Sequence, residues 1–264
     1  MEIVNVNHLS HTLREQLALY LVEPIKEIKP SLSNGNQSNS LNPEDRAFHD
    51  WYRFVLSFPP HLVRDYLQDF ELGTGATVLD PFCGTGTTIV EAKKNNICGL
   101  GIEANPFAHF ACSVKVNWSV DPDLLINGAL DIAENTHHVL ASQGIDDNAP
   151  FSGAGLPLRT LKPELMKILI ANSISPLPLH KTLVLLESLK LYEGETYYDH
   201  LRLALGKALV TSIGNLRFGP EVGVGKIKTD VPVVMAWLSE VRKIVNDLRL
   251  VDNKPNPLSK VHLA

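Results

Sequence analysis

The chain has 264 residues, 44% of them hydrophobic and 20% charged, with a formal net charge of −5. That length allows one large domain or two modest ones, and the composition is that of a soluble globular protein. No apolar run approaches membrane-span length, and the opening Met1-Glu-Ile-Val-Asn5 lacks a basic signal-peptide start, so a cytoplasmic location is expected. The three cysteines, Cys83, Cys98 and Cys112, form no Cys-x-x-Cys pair, and the pairs His8/His11 and His137/His138 have no partners at ligand spacing. Neither a disulfide framework nor a metal site is expected. No dense Lys/Arg run is present, although an acidic chain can still carry a local basic face for nucleic acid.

Residues 9 to 29 show apolar positions at helix spacing (Leu13, Leu17, Tyr20, Leu21), interrupted at Pro24. The polar run from Ser31 to Ser40 predicts a flexible loop. Asn42-Pro-Glu-Asp45 predicts a helix start running through Trp51 and Phe54, with Pro43 in the first turn. Pro59 and Pro60 open the next predicted helix, through Leu62, Tyr66 and Phe70. Then comes Thr77-Val-Leu-Asp-Pro-Phe-Cys-Gly-Thr-Gly-Thr-Thr-Ile-Val-Glu91, which reads as a strand, a glycine turn and a helix that Thr87 and Thr88 can cap. Ile97 to Glu103 is a second apolar strand ending in an acid, about 20 residues beyond the turn and well placed for ribose hydroxyls.

After Trp118 the spacing becomes helical. Helices are predicted from Asp121-Pro122 to about Ser142, and over Pro163 to Ile170, Lys181 to Leu191 and Thr196 to Ile213; Gly144 to Gly155 is a loop. Asn215 to Lys226 is a glycine-rich turn carrying Arg217, Phe218 and Lys226, which suits either a nucleic-acid contact or a solvated loop. Past Pro255 and Pro257, residues 259 to 264 read as the start of a strand. The expected organisation is an N-terminal helix and polar linker over 1–47, a cofactor-binding αβα core over 48–120, a helical insertion over 121–250, and the start of a further core strand over 251–264.

Spacing discriminates among ligands for the glycine turn. A phosphate-binding P-loop needs a lysine directly after the last glycine, and none occurs before Lys93. The dinucleotide fingerprint needs a small residue where Ile89 stands. Asp80 at the turn would repel phosphates and suits a ligand carrying positive charge, such as S-adenosylmethionine. The bland alternative is an ordinary βαβ unit whose glycines only make a turn.

Asp80-Pro-Phe-Cys-Gly-Thr-Gly-Thr-Thr88 resembles the Asp-Pro-Phe-x-Gly-Ser/Thr-Gly-Thr-Thr signature of amino-group methyltransferases acting on DNA bases. Glu103-Ala-Asn-Pro106 resembles that family's second motif, and Phe58-Pro-Pro60 its lead-in segment; the likeness covers residues 48 to 118. It implies an α/β, Rossmann-like class I methyltransferase core, DNA as partner, and the setting of restriction-modification. By the same likeness Asp80, Gly84 and Gly86 line the methionine side of S-adenosyl-L-methionine and Glu103 holds the ribose. Pro81, Phe82, Thr85, Thr87, Thr88 and Asn105 are further contacts.

The family's Asp/Asn/Ser-Pro-Pro-Tyr/Phe/Trp motif, which binds the target amine and stacks on the flipped base, is absent. The only Pro-Pro, Pro59-Pro60, is flanked by Phe58 and His61 and better serves to start a helix. The sheet is therefore expected to be incomplete, with the strand at Thr77 lacking a neighbour on one side. The expectation is the amino-terminal part of a DNA methyltransferase, inactive by itself: one half of a split enzyme whose catalytic half a second chain supplies, a truncated reading frame, or a remnant. Two rivals are a tRNA guanine methyltransferase, for which residues 1–47 are too short to hold the usual RNA-binding domain, and a non-catalytic subunit that keeps the cofactor fold.

Overall fold

The computed structural model describes residues 6–22, 41–54, 56–149, 151, 155–218, 221–252 and 254–264. In chain order the elements are α1 (Val6–Val22), α2 (Pro60–Asp69), β1 (Thr77–Asp80), α3 (Thr87–Lys94), β2 (Cys98–Glu103), α4 (Pro106–Lys115) and α5 (Pro122–Ser142). There follow α6 (Pro163–Met166), α7 (Pro176–Lys190), α8 (Tyr198–Ala208), β3 (Leu216–Arg217), β4 (Gly223–Val224), α9 (Val233–Val251) and β5 (Ser259–Leu263). The predicted kink at Pro24 and the predicted loop over 31–40 lie outside the described residues. Two compact units result, one from residues 25–121 and 246–264, the other from 1–24 and 122–245.

The first unit is built on a parallel three-stranded sheet of order β1-β2-β5. Thr77 pairs with Cys98 and Asp80 with Gly101; Gly99 pairs with Ser259 and Glu103 with Leu263. The helix α3 lies against β2 through an unusual division of sizes. Ile89, fully buried on the helix, packs onto Gly99 and Gly101 of the strand; a Cβ on Gly99 would stand 2.8 Å from Ile89 Cγ2. The close approach that a dinucleotide fold obtains from a helix glycine is supplied here from the strand. Behind it, Val63 and Leu67 of α2 pack on Ala92 and Ile97, with Leu72, Ala76 and Val78 around them. Lys93 fastens the approach to β5 by donating to the Pro257 carbonyl at 2.7 Å.

The helix predicted through Trp51 and Phe54 does not form. Residues 43–45 and 49–51 make two separate 3-10 turns, divided by Phe48 at φ +65°. Tertiary contacts outweigh local propensity here: Asp247 Oδ2 accepts the Phe48 N–H at 2.9 Å and the Trp51 indole N–H at 2.7 Å. Phe48 also stacks on Trp118 with centroids 4.4 Å apart. Pro59 and Pro60 do open a helix, with Pro59 as cap and Pro60 as first residue of α2.

The second unit is helical. Its α5 packs on α7 and on α1, and α7 meets α8. Gly128 of α5 lets Tyr197 seat against the helix, since a Cβ there would lie 2.5 Å from the ring. A buried carboxylate caps α9: Asp147 accepts the N–H groups of Val233 and Val234 at 3.0 and 2.9 Å. Lys181, wholly buried, lies 3.5 Å from Asp147 and 2.7 Å from Asp230. The helix predicted over Pro163 to Ile170 stops at Met166, because Leu165, Met166, Ile168, Leu169 and Ile170 are all exposed and no packed face supports further turns. The glycine-rich stretch after Asn215 contains a short antiparallel ladder, β3 with β4.

Candidate cofactor site

Asp80 and Glu103 end neighbouring parallel strands, so both carboxylates stand at the carboxyl edge of the sheet, where open α/β sheets bind ligands. Between them the chain turns through Pro81 to Gly86. Gly84 (φ +53°) and Gly86 (φ +87°) both take left-handed conformations that a side chain resists. Gly86 has a second constraint, because a Cβ would fall 2.3 Å from Cys112 Sγ. Nothing stands within 4 Å of a Cβ built on Gly84, so the space before that residue is open to a ligand.

Hydrogen bonds define the loop. Cys83 N–H donates to the Ile102 carbonyl at 3.1 Å, extending the β1–β2 pairing into the turn, and Gly86 N–H donates to Cys83 O at 2.8 Å. Glu103 bridges two segments: Oε2 accepts Gly84 N–H at 2.8 Å and Oε1 accepts Asn105 N–H at 2.7 Å. Asp80 Oδ1 accepts the Phe82 N–H at 3.0 Å. Each oxygen keeps lone-pair capacity toward solvent.

The sequence-predicted residues fall into three groups. Asp80, Gly84, Gly86 and Glu103 are brought together around the turn. Pro81 and Phe82 lie at its outer tip, with Phe82 89% exposed. Thr85 and Thr87 are buried, and Thr88 is half-buried. The helix α3 is capped by Gly86 and not by a threonine side chain: Thr87 and Thr88 already belong to the helix, and no side chain closes its first N–H groups. Asn105 has a local duty, since its Oδ1 accepts the N–H groups of Phe107 and Ala108 and so caps α4.

Sequence reading missed the charged scaffold behind the loop. Glu91 of α3 is fully buried, yet His49 Nε2 donates to it at 2.7 Å, Lys94 at 2.9 Å and Arg64 at 3.0 Å; Arg64 also reaches Asp45 at 2.6 Å. Burial pushes His49 down to about 4, so it is neutral at pH 7. Burial alone would raise Glu91, but His49 and Lys94 hold it at about 2. Lys115, on α4, was also missed. The signal available was a charged residue within an apolar stripe, Glu91 among Ile89, Val90 and Ala92, and Lys115 among Ala111, Val114 and Val116.

Residues 22–111 match the DNA methylase family model. This segment resembles a DNA methylase. The matched stretch takes in β1, the glycine turn, α3, β2 and the start of α4. The chain is also 38% identical over 72 residues to a Type II methyltransferase, M.BsoBI, of Geobacillus stearothermophilus. It is 29% identical over 99 residues to a Type II methyltransferase, M.MjaII, of Methanocaldococcus jannaschii. These stretches are 27% and 38% of this chain but 14% and 18% of the two relatives, so the chain spans a minor part of either. No solved structure gives a significant match. Among the described residues, no helix is long and apolar enough to cross a membrane, and no cluster of His, Cys, Asp or Glu could hold a metal ion.

Proposed function

We propose that this chain supplies the S-adenosylmethionine-binding part of a DNA amino-methyltransferase, acting on the exocyclic nitrogen of cytosine or adenine. The observation that carries the reading is the Glu103 carboxylate, held by the N–H groups of Gly84 and Asn105 beside an open, positive-φ glycine turn. Two carboxylates flank that turn, and the sequence from Asp80 to Val90 contains no lysine or arginine, which fits a cationic ligand and not a phosphate. The cofactor, when bound, supplies an electrophilic methyl group on a sulfonium centre. Asp80 would face its cationic methionine end, Glu103 its ribose hydroxyls, and Gly84 would allow close backbone approach.

The base-binding Asp/Asn/Ser-Pro-Pro-Tyr/Phe/Trp motif does not occur in these 264 residues. In this reading, amine binding and base stacking fall to sequence outside them. The family match to a DNA methylase favours DNA over tRNA as substrate.

Titration calorimetry of the purified chain with S-adenosylmethionine tests the first half of the reading. One-to-one binding is expected, weakened by about 100-fold or more in Glu103→Ala, which loses charge-assisted hydrogen bonds. Wild-type protein that binds none of the cofactor would overturn it. Labelled methyl transfer to duplex DNA tests the second half. Transfer is expected only after a chain bearing the missing motif is added, and robust transfer by this chain alone would refute the division of labour.

A further inference from the structure

Behind the glycine turn lies a cation that nothing above has assigned. Lys115, the last residue of α4, is 1% exposed, and its ammonium group donates to the Thr85 carbonyl at 2.7 Å and to the Tyr52 carbonyl at 3.2 Å. An ammonium group taken out of water loses several kcal/mol of hydration, and an apolar side chain of similar volume would pack there without that loss. The lysine is thus a poor choice for stability. The acceptors at Thr85 and Tyr52 suggest what it is there to do.

Thr85 stands between the two left-handed glycines. Glycine backbones rotate with little resistance, so the peptide planes on either side of Thr85 have little side-chain steric restraint. Three hydrogen bonds hold them instead. Gly84 N–H is fixed by Glu103, Gly86 N–H by the Cys83 carbonyl, and Thr85 O by Lys115. The first and the last involve a charged group, and charge-assisted bonds are roughly twice as strong as neutral ones. Through the Tyr52 carbonyl the same ammonium also secures the segment whose ring meets Phe107 edge-on at 4.8 Å, in the first turn of α4 two residues from Asn105.

We propose that Lys115 is a positioning residue of the cofactor site, whose ammonium group fixes the Thr85–Gly86 peptide and so holds the turn ready for ligand. The proposal rests on the S-adenosylmethionine reading. Without the ammonium group, the Thr85 carbonyl is buried and unsatisfied, and it regains a partner only by rotating the peptide plane that the ligand meets. Part of the binding free energy then goes into restoring the turn.

The test compares Lys115→Met and Lys115→Arg with wild type, measuring S-adenosylmethionine affinity by calorimetry and the unfolding midpoint without ligand. In Lys115→Met the dissociation constant is expected to rise about 10- to 100-fold while the unfolding midpoint stays within a few degrees, since methionine removes the buried charge and fills the space. Lys115→Arg, which keeps a charged donor, is expected to retain more affinity than Lys115→Met even where its larger head lowers the midpoint. Amide exchange at residues 84–87 is expected to quicken in Lys115→Met without a matching change in α9. If Lys115→Met does not fold, Lys115→Gln takes its place, with an expected loss of about 3- to 10-fold. Unchanged affinity in the folded uncharged variant, or losses that simply follow the unfolding midpoint across the series, would overturn the assignment. Wild-type protein that fails to bind would instead sink the cofactor reading, and this assignment with it.

Discussion

Gly86 meets two requirements that no other residue satisfies together, a φ of +87° and a missing Cβ against Cys112 Sγ. Gly86→Ala is expected to destabilise the protein by about 2–4 kcal/mol, combining left-handed strain with a steric clash. Adding Cys112→Ala should relieve the clash and leave about 1–2 kcal/mol of backbone strain. Urea unfolding of the single and double variants reads both quantities, and a double variant no better than Gly86→Ala would contradict the account. The buried centre at Glu91 makes a different kind of prediction. His49 lies at about 4 in the folded protein against 6.5 in the unfolded chain. As pH falls the unfolded chain takes up its proton first, so about 3 kcal/mol of stability is lost between pH 6.5 and 4. Glu91, at about 2 against 4.5, then contributes stability that is present above pH 4.5 and fades as pH drops toward 2. Unfolding free energies measured from pH 7.5 to 4.5 should therefore decline, and His49→Gln should flatten that decline. A wild-type profile that is level through this range would exclude the neutral, buried histidine.

At the scale of elements, periodicity was informative wherever a segment buries one continuous face. The strands around the glycine turn and the helices α2 and α5 lie where their apolar spacing puts them. Legibility failed where long-range partners decide the local conformation. Nothing near Phe48 in sequence reveals that Asp247 will take its N–H, so two 3-10 turns replaced a helix that propensity favours. The site was readable for the same kind of reason: Asp80, Gly84, Gly86 and Glu103 lie within one strand–turn–helix–strand unit, and local spacing is enough to bring them together. Lys115, whose acceptors at Tyr52 and Thr85 lie 63 and 30 positions away, was not readable. The helix α9 escaped notice despite a plain signal, with Val234, Trp237, Leu238, Val241, Val245 and Leu248 at helical spacing and nearly all fully buried. Trp237 also donates its indole N–H to the Leu201 carbonyl at 3.0 Å. Trp237→Ala is expected to cost about 3–5 kcal/mol, measurable by urea unfolding, whereas Trp237→Phe should cost less and still lose the hydrogen bond.

For the molecule as a whole, the sheet order leaves β1 paired on one side only among the described residues, with Leu79 60% exposed. Parallel sheets are ordinarily buried, and an unprotected apolar edge invites association. Sedimentation velocity is expected to show concentration-dependent self-association that Leu79→Lys reduces; a monomer at all concentrations would show that the edge is already protected. The parallel pairing of β2 with β5 has a consequence for how the protein is made. Glu103 meets Leu263 across that ladder, and all of residues 104–258 lie between the two strands. Closing so long a loop adds little to the equilibrium cost, about 0.6 kcal/mol per doubling of length, but it slows the search for contact. On the ribosome, β1 and β2 emerge early and must wait for synthesis of every intervening helix before their third strand exists. During that interval one flank of β2 has no partner, and protection of the nascent sheet from aggregation becomes a matter of translation rate and chaperone supply.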